Sequence, residues 1–266
     1  MYKNEEYLKK IIMNQNRHLF VYGYNTQERS EFLKCLEKNY PFTYELLEPV
    51  ALYFDSFGLP KIDAGLKNKD SYMIQAMSRE YLSFLVASRI LEKTIEFYDS
   101  NLDDKLSWLM HLININKNRN YDEITTVKKL LNEFKISRSF YYESFVKYVN
   151  GLIDNIPIEN ITIPFLDLGM FVNQYKSCMN MQSYFGLIFD KKNESSIFST
   201  QSINSFIGAR INNDISVKVA IEPNAWETYR NVNGQLIEAV HDYGVVELDD
   251  SNKDYINSIK LTKKFN

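Results

Sequence analysis

Five short apolar runs set the limits on how this 266-residue chain can fold. Each is bounded by polar or turn residues, which is typical of a buried strand, and stretches with a period of about 3.6 residues lie between them. Strands that alternate with helices predict an α/β protein with a mostly parallel sheet and helices on its faces. The runs are 18–22, 49–55, 184–190, 215–221 and 244–248.

The chain between about residues 70 and 155 has no apolar run of this kind and is predicted to be a helical insertion. The rest of the chain is predicted to form one five-stranded core, interrupted by that insertion. Helical periodicity predicts helices over 4–15, 28–38, 70–98, 102–116, 123–135, 138–152 and 195–211. The expected division is 1–65 for the first part of the core, 66–160 for the insertion or subdomain, and 161–266 for the second part of the core.

Composition excludes several classes of protein. The chain has 31 Lys and Arg against 34 Asp and Glu, so a uniformly basic nucleic-acid binder is excluded, although a local basic patch is not. Its two cysteines, Cys35 and Cys178, have no metal-binding spacing and are expected to be reduced thiols. A signal peptide and an apolar run of membrane-spanning length are both lacking, which predicts a cytoplasmic protein without membrane contact.

A possible phosphate-binding loop follows the first strand. Such loops have the pattern G-x-x-x-x-G-K-S/T between a strand and a helix, where free backbone N–H groups bind phosphate. Gly23 and Ser30 stand at the two ends of this pattern, but Glu28 replaces the second glycine and Arg29 replaces the lysine. Because Glu28 would repel phosphate, an ordinary strand-to-helix turn is the alternative interpretation. If nucleotide binds, Gly23, Arg29 and Ser30 are the candidate contacts.

An acidic residue, Asp190, ends the third apolar run. In P-loop NTPases an acid at this position helps to hold Mg²⁺, and a neighbouring glutamate polarises the attacking water. Here Lys191 follows, and Glu194 is the nearest acid that could take the second role. Ser30 and Asp190 are therefore candidate metal ligands, and Asp190 and Glu194 are the candidate catalytic residues.

Further short motifs follow in the second half of the chain. Together with the loop and the acidic strand, they resemble the AAA-type ATPases of the ORC/Cdc6-like group that occur in bacterial mobile elements and antiphage-defence loci. In that group a Gln and Asn helix and a strand carrying S-x-K follow the acidic strand. The resemblance rests on the segments 20–30, 187–190, Gln201-x-x-Asn204-x-x-Ile207-x-x-Arg210, 215–219 with Ser216 and Lys218, Trp226-x-Thr228, and 241–243.

The resemblance implies a core of P-loop type (ASCE-like), whose sheet has strand order 5-1-4-3-2, and a site for ATP or ADP with Mg²⁺. It also implies a polar sensor residue after the fourth strand, for which Asn224 is the nearest candidate. The loop lysine, its second glycine and the catalytic glutamate are missing, and the C-terminal lid of the family is expected to be missing too. The resemblance therefore implies a degenerate ATPase, with no cofactor as an equal alternative to bound nucleotide.

Basic and aromatic residues are interleaved between residues 117 and 149. Such a pattern can follow a phosphate backbone and stack on bases, although a solvated helical face over an aromatic core gives the same pattern. The candidate nucleic-acid contacts are Arg119, Lys128, Lys129, Lys135 and Arg138.

Three functions are compatible with these features. The first is a non-catalytic scaffold, regulator or partner-binding subunit, whose protein partner would be an intact homologous ATPase or an effector. The second is an active ATPase with a variant loop, and the third is an accessory protein that binds nucleic acid. A homo-oligomer or a hetero-oligomer fits each of them.

Overall fold

The structure is a computed structural model that describes residues 5–13, 16–43, 46–55, 57–59, 69–98, 101–191, 197–208, 214–223, 225–239 and 241–248. Five strands alternate with eight α-helices in this part of the chain, and a short 3₁₀ helix covers Ile158–Asn160. The strands are β1 (His18–Tyr22), β2 (Val50–Phe54), β3 (Phe185–Asp190), β4 (Ile215–Ile221) and β5 (Tyr243–Glu247). The helices are α1 (Glu5–Met13), α2 (Thr26–Asn39), α3 (Ser71–Phe97), α4 (Leu102–Lys105), α5 (Ser107–Asn116), α6 (Val127–Val149), α7 (Leu168–Met179) and α8 (Ile197–Gly208).

The five strands form one parallel sheet in the order β2-β3-β4-β1-β5. Every residue of β2, β3 and β4 is buried, which explains why their sequences are nearly continuous apolar runs. The prediction of an α/β protein with a five-stranded parallel sheet between helices is confirmed. The strand order is also the order 5-1-4-3-2 that the resemblance implies, read from the opposite edge.

Helices cover both faces of the sheet. On one face, Ile12 of α1 and Leu33 and Leu36 of α2 pack against Val21 and Ile188 of the strands. On the other face, a larger cluster joins strand residues to side chains of α3, α5, α6, α7 and α8. The helices between β2 and β3 thus share a continuous core with the sheet.

Two differences from the predicted helices have local causes. The helices expected over 123–135 and 138–152 are one helix, α6, which begins after the N-cap Thr126. Since no proline or glycine interrupts it, the pattern offered no physical stop, and Ser137 is buried at the predicted break. Helix α7 was not predicted, although Asp167 caps it by accepting a hydrogen bond from the Met170 N–H at 2.9 Å.

Among the described residues, no helix is both long and apolar enough to cross a membrane.

Candidate functional site

The predicted phosphate-binding loop is short and largely helical. Only three residues separate β1 from α2, because α2 already begins at Thr26. The Asn25 side chain accepts from the Glu28 N–H at 3.1 Å, and the Asn25 carbonyl accepts from the Arg29 N–H at 2.9 Å. These two amides therefore serve helix α2 and are not free to bind phosphate.

Carboxylates already lie at the start of α2, where the helix dipole would attract an anion. The Thr26 hydroxyl donates to Oε1 of Glu222 at 2.8 Å, and Glu222 follows β4 directly. Glu28 adds a second carboxylate in the first turn of the helix. A nucleotide phosphate at this helix terminus would meet two negative charges.

A fully buried ion pair between Arg29 and Asp190 lies at this end of the sheet. Nε of Arg29 donates to Oδ1 of Asp190 at 3.2 Å, and both side chains have an exposed fraction of 0%. The remaining nitrogens of Arg29 donate to the Gly23 carbonyl at 2.8 Å and to the Lys191 carbonyl at 3.2 Å. The guanidinium thus joins the loop after β1 to the end of β3.

Two hydroxyl groups also donate to Asp190. Oδ2 accepts from Oγ of Ser30 at 2.5 Å and from the hydroxyl of Tyr53 at 2.7 Å. Burial, followed by the hydrogen bond and charge of Asp190, raises the pKa of Tyr53 above its ordinary value, so this hydroxyl is a donor at neutral pH. We call Arg29, Asp190, Ser30 and Tyr53 the buried ion-pair cluster.

The structure brings Gly23, Arg29, Ser30 and Asp190 together, as the sequence predicted for a nucleotide site. The predicted arrangement differed, because Arg29 was expected to face phosphate and instead faces Asp190. Ser30 and Asp190 contact each other directly, and the described residues contain no cluster of three His, Cys, Asp or Glu side chains that could hold a metal ion.

Glu194 and Asn224, the candidates for the catalytic acid and the sensor, lie outside the described residues. The assignments of catalytic, nucleotide and metal ligands therefore stay predictions.

Lys191 points away from the cluster. Its Nζ donates to the Ala225 carbonyl at 2.9 Å, pairs with Glu227 and lies over the ring of Trp226. Glu227 also accepts from Thr200 of α8 at 2.8 Å. These contacts fasten the segment after β4 onto the edge of the sheet.

Two motifs of the resemblance have structural contacts. The buried Asn204 side chain donates to the carbonyls of Thr228 and Arg230 at 2.8 and 2.9 Å and accepts from Trp226. Ser216 and Lys218 both donate to the Arg17 carbonyl, at 2.8 and 2.5 Å, at the end of the sheet away from the ion-pair cluster. Burial lowers the pKa of Lys218 well below its ordinary value.

The five candidate nucleic-acid contacts have different surroundings in the structure. Lys129 donates to the Glu123 carbonyl, Lys135 pairs with Glu92 at 2.8 Å, and Lys128 lines a cavity beside Asp103 and Asp104. Arg138 lines another cavity between α2, α3 and α6, and Arg119 is exposed before α6. The aromatic partners Tyr141, Phe145 and Tyr148 are core residues. Nucleic-acid binding stays a prediction.

Sequence reasoning missed Tyr53 and Glu222. Both follow from the strand order, since β2 lies beside β3 and β4 lies beside β1. Carboxyl ends of parallel strands meet at one edge, so residues at the ends of β2 and β4 could have been placed near Asp190 and Thr26.

Comparisons with known proteins give no assignment: no family model matches the chain, and neither a curated protein nor a solved structure matches it.

Proposed function

We propose that this chain is a degenerate ATPase-like protein that acts as a non-catalytic scaffold, regulatory or partner-binding subunit. The observation that carries the proposal is the position of Arg29, whose guanidinium is fully buried against Asp190. In a P-loop ATPase the acid at the end of this strand serves Mg²⁺. Here the protein supplies its own cation to that acid. The parallel sheet and its strand order support the kinship with ATPases.

The energy of the ion pair opposes nucleotide binding. Leaving one partner of a buried pair uncompensated costs about 3–5 kcal/mol. A cost of that size weakens binding by a factor of about 100 to several thousand, since about 1.4 kcal/mol corresponds to tenfold. A site that would otherwise bind Mg-ATP with a Kd of about 1 μM would then have a Kd between about 0.1 mM and several millimolar. Glu28 and Glu222 at the start of α2 weaken it further.

Hydrolysis is opposed independently of binding. The residue after Asp190 is a lysine, and its side chain is held by Glu227 and the Ala225 carbonyl. Catalysis of phosphoryl transfer depends on a group that orients the attacking water and on a metal ion that neutralises developing charge. The residues around Asp190 are donors to it, so they serve neither purpose.

A protein is the proposed partner, and an intact homologous ATPase or an effector fits the resemblance best. A mobile-element or phage-defence system is the setting that the same resemblance suggests. The proposed recognition surface is the helical insertion. On α5 it exposes Trp108 and Ile115, which lie seven residues apart and hence on one side of the helix.

The first test is calorimetric titration of the intact protein with Mg-ATP and with Mg-ADP. We expect no binding with a Kd below about 0.1 mM, as follows from the cost of separating the ion pair. Arg29→Ala is titrated in parallel, with Arg119→Ala as the control for loss of an arginine charge. Micromolar binding that is lost in Arg29→Ala and kept in Arg119→Ala would contradict the proposal, because it would mean that Arg29 contacts phosphate.

A second test addresses the alternative of an active ATPase. We expect phosphate release from Mg-ATP to stay at the buffer rate, and to be the same in Asp190→Ala. Hydrolysis that Asp190→Ala abolishes would favour the active ATPase over the scaffold.

A further inference from the structure

A cavity of about 530 Å³ lies between α3, the start of α7, α8 and the beginning of β4. The four residues of the ion-pair cluster do not line it. Cavities of this size hold small molecules. Leu166, Leu168, Phe206 and Ile215 supply apolar wall. One turn of α3 supplies the polar side chains Arg79, Glu80 and Ser83, and Asp167 at the start of α7 adds a second carboxylate. We call this the Glu80 cavity.

Glu80 is a buried carboxylate on the wall, with a side chain that is 5% exposed. Its Oε2 accepts from the Leu166 N–H at 3.0 Å, and its Oε1 accepts from Nη2 and Nε of Arg79 at 2.9 and 3.2 Å. Each carboxylate oxygen can accept more than one hydrogen bond, so Glu80 retains acceptor capacity. Burial raises the pKa of Glu80, partly offset by the Leu166 N–H and by Arg79.

Ser83 lies one turn along α3 from Glu80 and is only 3% exposed. It lines the same cavity, so its hydroxyl can donate to or accept from a ligand there. Glu80 and Ser83 therefore converge on one place in an otherwise mainly apolar space.

The charges around the cavity favour a cation. Glu80 and Asp167 contribute two negative charges, against the single positive charge of Arg79. The side chain of Arg79 is 58% exposed, so solvent surrounds much of it and it can be displaced from Glu80. Asp167 is held as the cap of α7 by the Met170 N–H, so its charge stays in place.

We propose that the Glu80 cavity binds a small molecule with an apolar body and a protonated amine. The amine donates to the Glu80 carboxylate and to the Ser83 hydroxyl, and the apolar body packs between Leu166, Phe206 and Ile215. This site is separate from the proposed function at the ion-pair cluster, so either proposal can fail without the other.

The test compares three probes by calorimetry and saturation-transfer NMR: 2-phenylethylamine, 2-phenylethanol and 3-phenylpropionate. They share a phenylethyl group and differ in the polar group at its end. We expect the amine to bind at least about 10-fold more tightly than the alcohol, because its hydrogen bond to a carboxylate is charge-assisted. The carboxylate probe is expected not to bind, since it would face Glu80.

Two substitutions on α3 are expected to act in opposite directions. Glu80→Gln keeps an acceptor for the Leu166 N–H but removes the charge, and should weaken amine binding about 10-fold while leaving the alcohol unchanged. Arg79→Ala removes the competing cation from an exposed position and should tighten amine binding. Glu92→Gln is the matched control on the same helix and should change neither. The proposal is overturned if the amine fails to bind, if the three probes bind alike, or if neither Glu80→Gln nor Arg79→Ala changes the affinity for the amine.

Discussion

An arginine and a lysine are not equivalent at position 29. The planar guanidinium contacts Asp190 and two carbonyls in different directions at once, those of Gly23 and Lys191. A lysine ammonium is a compact charge that could not span these three acceptors. The residue type thus explains why this side chain turns inward and joins two strand ends.

Removing the guanidinium should destabilise the whole protein. Arg29→Ala leaves Asp190 buried without its counter-charge, and we expect the free energy of unfolding to fall by about 3–5 kcal/mol. Urea denaturation followed by circular dichroism measures this change.

The control for this substitution is Arg119→Ala, which removes an exposed arginine and should change the free energy of unfolding by less than about 0.5 kcal/mol. Equal, small effects of the two substitutions would mean that the ion pair does not form in solution.

His18 should make stability depend on pH. Its Nδ1 accepts from the Val217 N–H at 2.9 Å, and burial, with a smaller effect of Lys218, lowers its pKa from 6.5 to about 4. The unfolded chain therefore takes up a proton first as the pH falls. We expect about 3 kcal/mol of stability to be present above pH 6.5, to be lost progressively down to about pH 4, and to change no further below it.

The variant that isolates this effect is His18→Asn, whose amide oxygen can accept from the same N–H but does not titrate. The free energy of unfolding is measured at pH 7 and at pH 4.5 for both proteins. It should differ less between the two pH values in His18→Asn than in the original chain. If both proteins lose the same stability between these two pH values, His18 is not the responsible group.

At the scale of elements, helix α6 holds the segment that precedes α7. Oγ of Ser137 donates to the Ile163 carbonyl at 2.8 Å, and the Tyr141 hydroxyl donates to the Pro164 carbonyl. The segment also supplies Leu166, whose N–H donates to Glu80. The wall of the Glu80 cavity thus depends on contacts made by α6.

Loss of one of these contacts should loosen the segment selectively. Tyr141→Phe removes a hydroxyl and leaves the Pro164 carbonyl without that donor, so we expect a loss of about 1 kcal/mol. Amide hydrogen exchange should become faster over residues 161–166. Tyr142→Phe is the matched control, because Tyr142 is the next residue and is 42% exposed; faster exchange in the control as well would contradict this assignment.

The helices and strands were predictable from the sequence where a local pattern of apolar residues was enough to specify them. Strands β1 and β4 match the predicted apolar runs because a strand buried on both faces needs apolar residues throughout. Helix α7 was missed, although Phe171, Val172 and Tyr175 have helical spacing and are buried. The stretch around it is extended and tied to other helices by contacts that no local pattern reveals.

Some members of the candidate site were predictable from the sequence, but Tyr53 and the geometry of the site were not. Gly23 and Ser30 were predicted from their places in the loop pattern, and Asp190 was predicted because it ends a strand. The direction of the Arg29 side chain depends on three acceptors that come from two separate segments, and only the folded sheet brings them together. The Glu80 cavity was missed for the same reason, since its walls come from distant parts of the chain.

At the scale of the whole molecule, stability should not depend on nucleotide or metal. A ligand that binds the native state at 100 times its Kd raises the free energy of unfolding by about 2.7 kcal/mol. Because the proposed function leaves at most weak binding, 0.1 mM Mg-ATP is expected to shift the thermal midpoint by less than about 1 °C. Differential scanning calorimetry with Mg-ATP, with Mg-ADP and with EDTA measures this shift. A rise of several degrees in the thermal midpoint that EDTA reverses would contradict the proposal that Arg29 replaces the metal ion at Asp190.

The ion pair between Arg29 and Asp190 also limits how this chain could change over evolutionary time. A single substitution at either position leaves a buried charge without its partner, so each first step towards a working nucleotide site carries the full loss of stability. The gain in binding would come only after the loop and the start of α2 had changed as well. Under the proposed function, an arginine that has closed such a site is therefore hard to lose by single mutations, because each of them first lowers the stability of the protein.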